Sequence, residues 1–302
     1  MSDAKPDGMG APLGGAPTGG AICASPLCCD RRAWEALRRV LPELETPEGL
    51  VKAAVAVAMH HRGGAKPDAA LDELEVIASD VRRRVRSRQP RALLAHLHEH
   101  LFEELGFGGG IDEGVADVHH ASHSYLPDVL QRRRGLPILL ALVYVTVARR
   151  LGLHAWGIGL PGHFLAGVEC DGGRLIIDAY GKGRVLSVSD AAERLRELYG
   201  PEAEFSSDLL EPVSHRMWLT RIMQNLIRAF GSSGQFVDVG AMLELEMLLW
   251  PEQDRLQRDF GLVLARLGMT VPAGQWLSNY LRNNPDDPQR EDLERFLCAL
   301  LA

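Results

Sequence analysis

The chain has 302 residues, a formal net charge of -7 and five cysteines. With 46% hydrophobic and 24% charged residues, its composition is that of an ordinary soluble globular protein with enough apolar material for a substantial core. The mildly acidic balance argues against a protein that coats nucleic acid or an anionic membrane. An odd number of cysteines does not indicate a secreted disulfide framework.

The first thirty residues differ in composition from the rest of the chain. Residues 1–20 contain six Gly and three Pro. Such a stretch buries too little surface to offset its ordering entropy, so we predict a disordered tail over residues 1–30. The tail has no long apolar segment of the kind found in signal peptides, and the run from Ile138 to Val145 is too short to span a membrane. We therefore expect a cytoplasmic protein.

Residues 31–107 have a helical pattern throughout. Thr46-Pro47-Glu48 has the features of a helix start, and apolar residues recur at helical spacing from Leu71 to Val81. A second apolar stripe runs from Leu93 to Leu105 and ends at Gly106. This part of the chain is predicted to be a set of amphipathic helices.

The middle of the chain combines a buried helix with short strands. Residues 138–151 are apolar on nearly every side, which is typical of a helix buried all round. Strand-like runs follow at residues 155–160, 163–169 and 174–180, separated by Pro-Gly and Asp-Gly-Gly turn signals. A buried helix followed by an antiparallel meander predicts an α+β fold rather than a doubly wound parallel sheet.

The C-terminal third repeats itself at a spacing of 34 residues. At that shift Gly234 falls on Gly268, Gly240 on Gly274 and Pro251 on Pro285. Thirty-four residues is the period of a tetratricopeptide helical hairpin, and two hairpins of similar length by chance are the alternative. We predict three regions: the tail over 1–30, a core with its helical N-terminal region over 31–212, and helical repeats over 213–302, docked on the core.

The sharpest candidate site lies in the meander. His163 begins one predicted strand and Asp178 lies in the next, and a hairpin at Asp171-Gly172-Gly173 would place residue 181 opposite His163, close to Asp178. A carboxylate beside an imidazole orients the ring, as in hydrolases with a nucleophile-His-Asp triad. The alternative is a core histidine whose polar atoms are satisfied by an aspartate.

Histidines also cluster at two places. His96, His98 and His100 lie on one predicted helix, and His119, His120 and His123 precede the buried helix. The second cluster, with His163, is a weak candidate for a transition-metal site. Exposed histidines scatter freely, however, and we predict neither a metal nor another cofactor.

Several segments together resemble a known family. They are Ser124-Tyr125-Leu126, Arg134-Gly135-Leu136-Pro137-Ile138, Pro161-Gly162-His163-Phe164 and Ile177-Asp178. This pattern is similar to the transglutaminase-like domain of the SirB (invasion-regulator) family, over roughly residues 70–300. The resemblance implies a papain-like core followed by tetratricopeptide-like helices. It also implies a regulatory or uncharacterised role, and the same domain occurs in some F-box proteins.

The resemblance further implies a catalytic cysteine at the start of the central helix, with His163 and Asp178 as its partners. Residues 135–139 of this chain, Gly-Leu-Pro-Ile-Leu, contain no Cys, Ser or Thr. We therefore expect a non-catalytic, regulatory protein that binds protein partners through the repeats or the core groove. One alternative is a peptide or amide hydrolase or acyltransferase that uses His163 and Asp178 with water or Ser124. Another is a metal-dependent hydrolase that uses His119, His120, His123 and His163.

Overall fold

The computed structural model describes residues 25–87, 89–110 and 120–302. The helices are α1 (Arg31–Val40), α2 (Gly49–Ala58), α3 (Pro67–Arg84), α4 (Pro90–His98), α5 (Leu126–Arg132), α6 (Pro137–Arg150), α7 (Val188–Tyr199), α8 (His215–Ser232), α9 (Phe236–Leu249), α10 (Asp254–Arg266), α11 (Thr270–Asn283) and α12 (Arg290–Leu301). The strands are β1 (Ala155–Ile158), β2 (Leu165–Cys170), β3 (Gly173–Asp178) and β4 (Arg184–Leu186). Short helical segments occur at Leu41–Glu43, Glu99–Glu104, Ala121–Ser124 and Ser207–Leu210.

Helix α6 is the buried centre of the molecule, as the sequence predicts. Every residue from Ile138 to Ala148 is buried. Pro137 occupies the first turn, where a missing backbone N–H costs nothing, and Gly152 follows the helix with a positive φ of 86°. Helix α6 packs against β1 and β2 on one side and α3 on another. The prediction of an α+β fold is confirmed.

The strands form one antiparallel sheet in the order β1-β2-β3-β4. Cys170 pairs with Gly173 and Ala166 with Ile177, so the β2–β3 hairpin turns at Asp171-Gly172. The three predicted strands are present with small shifts at their ends. Strand β4, which has only three residues, was not predicted.

Helices α8 to α11 form two hairpins, and α12 packs against α11. Helices α9 and α11 coincide at a shift of 34 residues, and so do the ends of α8 and α10. Helix α8 also joins the core: Trp218 is buried against Phe164 and donates a hydrogen bond from Nε1 to the carbonyl of Ile138, at 3.2 Å. One continuous hydrophobic cluster therefore includes residues from both predicted regions, on either side of residue 212.

The N-terminal segment just before α1 packs against α9. Glu244, on α9, is 4% exposed and accepts hydrogen bonds from the backbone amides of Leu27, Cys28 and Cys29. The predicted disordered tail is therefore too long at its C-terminal end. Gly and Pro content is a local signal, whereas this contact depends on an acid more than 200 residues away. Residues 1–24, which hold the rest of the predicted tail, lie outside the described residues.

A second polar contact lies beside the first. His60 and His61, just after α2, both contact Oδ1 of Asp238 on α9 through Nε2, at 2.9 and 2.8 Å. We call Glu244, Asp238 and these partners the Glu244 network; it ties α9 to the N-terminal part of the chain. Within the described ranges, none of the helices combines the length and apolar character that a membrane span requires.

Candidate functional site

A glycine turn places His163 just before β2, at one end of the sheet. Gly162 has a positive φ of 69°, and a side chain there would come within 2.9 Å of Leu198. The amide of His163 closes the turn by donating to the carbonyl of Leu160, at 3.1 Å. A glycine is therefore required here both by the backbone conformation and by the close approach of α7.

His163 and Asp178 form a hydrogen-bonded pair. Nε2 of His163 lies 3.1 Å from Oδ1 of Asp178, which also accepts from the amide of Gly181. Extension of the β2–β3 register puts His163 opposite Tyr180, one residue from the predicted position, and the two rings meet edge to face. The prediction that His163 and Asp178 come together is confirmed.

Hydrogen bonds and burial act in opposite directions on the ionisation of Asp178. Burial opposes ionisation of Asp178, but the hydrogen bonds from His163 and from the amides of Gly181 and Tyr180 outweigh burial, and the pKa of this carboxyl lies below its ordinary value. His163 is 5% exposed, and its Nδ1 has no hydrogen-bond partner among the described residues. One ring nitrogen is therefore anchored, and the other remains able to contact a ligand.

His163 lines a pocket of about 850 Å³, a size typical of ligand sites, whereas its partner Asp178 is not among the lining residues. The floor includes Leu136, Pro137 and Ile138, at the start of α6, together with Phe164. In a thiol enzyme of this architecture the start of α6 would carry the nucleophile. This chain has apolar side chains there, and none of the described residues that line the pocket is a cysteine.

Helix α8 supplies the opposite wall of the pocket. Arg221, Asn225, Arg228 and Ser232 all line it. They recur at helical spacing, so they form one polar stripe, while the other side of α8 is buried in the core. Arg194 and Tyr199 of α7 and Tyr180 complete the rim. We call this pocket the His163 groove.

Ser124, the speculative nucleophile, lies outside the groove. It is 2% exposed, in the helical turn Ala121–Ser124, and it is not among the residues that line the pocket. It makes no hydrogen bond with His163. The structure therefore brings together His163 and Asp178, but not His163 and Ser124.

The candidate metal ligands are dispersed. His119 lies outside the described residues. His120 contacts the hydroxyl of Ser122 through Nδ1, at 2.9 Å, and His123 is buried. In the cluster of His96, His98 and His100, Nε2 of His98 contacts the Tyr144 hydroxyl at 2.8 Å. In the part of the chain that the structure describes, neither His120 nor His123 belongs to a group of three potential metal ligands.

Among the described residues, one such group occurs elsewhere, formed by His60, His61 and Asp238. The amide of Asp30 donates to Nδ1 of His60 at 3.1 Å, so Nδ1 is an acceptor and Nε2 of the neutral ring carries the proton. Burial lowers the pKa of His60, although Asp238 opposes that effect. A metal on Nε2 would leave an imidazolate, so the geometry fits a hydrogen-bonded network better than a metal site.

Sequence reasoning missed the arginine wall of the groove. Arg221, Asn225, Arg228 and Ser232 stand at i, i+4, i+7 and i+11, a polar stripe that was readable from the sequence. The spacing alone did not show that the stripe faces His163, because that depends on how Trp218 docks α8 onto α6.

Comparisons with known proteins agree with this fold and pocket. Residues 68–224 match the family model of the transglutaminase-like superfamily. A UPF0162 protein of Xylella fastidiosa is 34% identical over 195 residues, which cover 64% of this chain and 68% of the relative. A UPF0162 protein of Pseudomonas aeruginosa is 32% identical over 191 residues, or 63% and 68% of the two chains.

A more distant relative is the mouse F-box only protein 21. It is 29% identical over 168 residues, which cover 52% of this chain and 25% of that protein. No solved structure matches the chain. The chain belongs to the transglutaminase-like superfamily and, within it, to the UPF0162 family.

Proposed function

We propose that this protein is a non-catalytic member of the transglutaminase-like superfamily that binds a protein partner in the His163 groove. The observation that carries the proposal is the start of α6, where Leu136, Pro137 and Ile138 line the groove beside His163. Leucine, proline and isoleucine cannot attack a carbonyl group. The groove therefore has a His163–Asp178 pair but no side chain at the start of α6 that could form a covalent intermediate.

The hydroxyl groups of the groove do not replace the missing thiol. Ser232 donates its hydroxyl hydrogen bond to the carbonyl of Ala229, at 2.9 Å, in its own helix. Tyr180 and Tyr199 also line the groove, but a phenol is a weaker nucleophile than a thiolate. In this proposal His163 contacts the bound partner through Nδ1, and Asp178 holds the ring in position.

The C-terminal hairpins and the cysteines complete the proposal. The two C-terminal hairpins, with their 34-residue spacing, act as tetratricopeptide-like units that brace the groove through α8, and the resemblance to the SirB family points to a regulatory role. Cys28, Cys29, Cys170 and Cys298 are free thiols, which supports a reducing, cytoplasmic location.

Site-specific photo-crosslinking in cells tests the proposal. Tyr199, at the rim and 60% exposed, is replaced by p-benzoylphenylalanine; the matched control has the same replacement at Val271, which is 65% exposed on α11. We expect a discrete crosslinked protein from position 199 and not from position 271. Equal labelling at both positions, or none at position 199, would contradict binding in the groove.

One observation favours a second function, a peptide or amide hydrolase that activates water. His163 has one ring nitrogen held by a carboxylate and the other without a hydrogen-bond partner among the described residues, which is the arrangement of a general base. This alternative requires turnover that disappears in a His163→Asn variant. The non-catalytic proposal requires that no such turnover exists.

A further inference from the structure

The His163 groove has a strong and one-sided charge pattern. Arg194, Arg221 and Arg228 line it, and no aspartate or glutamate is found among the described residues that do. Asp178 lies behind His163, where the ring and the amide of Gly181 already bind it. The groove therefore faces an incoming ligand with positive charge in a protein whose net charge is -7.

Two of these charges have no acidic partner in the described part of the chain. Arg221 is half-buried, and one of its terminal amino groups donates to the carbonyls of Leu160 and His163, at 2.8 and 3.0 Å. Arg228 donates to the side-chain oxygen of Asn225, at 2.9 Å. Neither guanidinium contacts a carboxylate among the described residues, although Arg194 pairs with Glu197 at 3.1 Å.

The Arg221 guanidinium lies over the Phe164 ring, with its central carbon 5.2 Å from the ring centroid, and has two carbonyl acceptors but no anion beside it among the described residues. Burial and the neighbouring charge of Arg228 both lower the pKa of Arg221. A half-buried cation beside a second cation is stabilised when an anion enters the same space. Arginine is also the side chain best suited to hold a carboxylate, because its planar N–H groups can donate in parallel.

The shape of the groove indicates a chain rather than a small ion. The polar stripe from Arg221 to Ser232 is about 16 Å long at the helical rise of about 1.5 Å per residue, which is the length of about five residues of extended chain. Phe164 and Ile138 provide an apolar floor, and Tyr180 and Tyr199 an aromatic rim. Those surfaces suit peptide side chains and would be left unused by a free phosphate.

We propose that the His163 groove binds an extended acidic peptide segment of the partner, with carboxylates held by Arg221 and Arg228. The two arginines are separated by about 10 Å along α8. In the extended polyproline II conformation, with three residues per turn and a rise of about 3.1 Å per residue, acidic residues three positions apart lie on one face and match that separation best. Arg194 of α7 also lines the groove and adds a third positive charge. This inference rests on the proposed function in taking the groove as the binding site, and it adds the chemical class of the ligand.

Peptide titration of the full-length chain by isothermal calorimetry tests the inference. The probe is the blocked peptide acetyl-Asp-Leu-Ala-Asp-Leu-amide, and its matched control carries Asn in place of both Asp residues. We expect the acidic peptide to bind about tenfold more tightly than the amide peptide, because only ionised carboxylates form charge-assisted hydrogen bonds with arginine. Higher ionic strength should reduce that difference.

Three single variants assign the effect to the groove. Arg228→Gln and Arg194→Gln alter exposed side chains, so both variants should fold, and each should weaken binding of the acidic peptide about three- to tenfold. Arg282→Gln, an exposed arginine on α11 outside the groove, makes the same change in net charge and should leave binding unchanged.

Several results would overturn the inference. They are the absence of measurable binding, equal affinity for the acidic and amide peptides, or equal effects of Arg228→Gln and Arg282→Gln. Displacement of the peptide by inorganic phosphate at the peptide's own concentration would indicate a simple anion site instead. If crosslinking at position 199 still captures a partner through a segment without acidic residues, the inference fails and the proposed function stands.

Discussion

Two polar clusters of the described residues resolve their charges in opposite ways. In the Glu244 network both acids, the buried Glu244 and the partly buried Asp238, have partners within the chain: three backbone amides contact Glu244, and two histidines contact Asp238. In the His163 groove, Arg221 and Arg228 face a pocket and contact no carboxylate among the described residues. The difference indicates that the first cluster holds the chain together, whereas the second is built to receive a ligand.

The two acids of the Glu244 network have pKa values shifted in opposite directions. Burial opposes ionisation of Asp238, but the hydrogen bonds from His61 and His60 outweigh burial and lower its pKa. Burial raises the pKa of Glu244 despite its three amide donors. Asp178 behaves differently, because hydrogen bonds outweigh burial and its pKa is lowered. The Asp178 carboxylate is therefore stabilised in its ionised form, in which it accepts the hydrogen bond that anchors the His163 ring. Variants that alter one cluster and leave the other intact test the comparison.

The largest effect on stability is expected from Glu244→Ala. Three backbone amides, one of them on the buried Cys29, would lose their acceptor, so the free energy of unfolding should fall by about 2–4 kcal/mol, and hydrogen exchange over residues 25–30 should accelerate. Urea denaturation and exchange mass spectrometry measure these changes. The control Glu252→Ala, at an exposed position after α9, should change stability by less than about 0.5 kcal/mol. Loss of peptide binding in folded Glu244→Ala would contradict the separation of the two clusters.

A smaller effect is expected from Asp178→Asn. The variant loses the charge that holds His163, so at neutral pH it should be about 1 kcal/mol less stable than the original chain. Because the folded-state pKa of Asp178 is lowered, its contribution is present above the ordinary Asp pKa of about 4 and is lost as the pH falls through the folded value. Urea midpoints of the two proteins should therefore converge in acid.

Asp171→Asn is the control for this pH dependence. Asp171 lies in the exposed β2–β3 turn of the same sheet. The difference in urea midpoint between Asp171→Asn and the original chain should not change with pH. The urea midpoints of Asp178→Asn and the original chain could instead differ by the same amount at every pH, or converge at high pH. Either result would show that the Asp178 carboxylate does not hold His163.

The smallest effect on stability is expected from Arg228→Gln. The side chain is exposed and stands near the like charge of Arg221, so the free energy of unfolding should change by no more than about 0.5 kcal/mol. Its effect should be confined to the binding of the acidic peptide. A loss of stability comparable to that of Glu244→Ala would mean that Arg228 serves the fold and not a ligand.

The parts of the fold that depend on local signals were predictable. Helix α6 begins at Pro137 and ends just before Gly152, and both residues are local signals. The Asp-Gly turn sets the hairpin register that brings His163 to Asp178. The lining of the groove could not be predicted from local patterns, because it depends on tertiary contacts. Arg221 and Arg228 face His163 because Trp218 packs against Phe164 and bonds to α6, a contact between segments 80 residues apart. Glu244 likewise meets residues 27–29 across most of the chain, which no local pattern could indicate.

The central claim is that the His163 groove binds a partner without altering it covalently. The most direct measurement is mass spectrometry of the crosslinked partner segment, made as a synthetic peptide and incubated with the original chain and with His163→Asn. The claim predicts that the peptide binds and keeps its mass with both proteins. A cleaved, deamidated or acyl-transferred product that forms with the original chain and not with His163→Asn would contradict it.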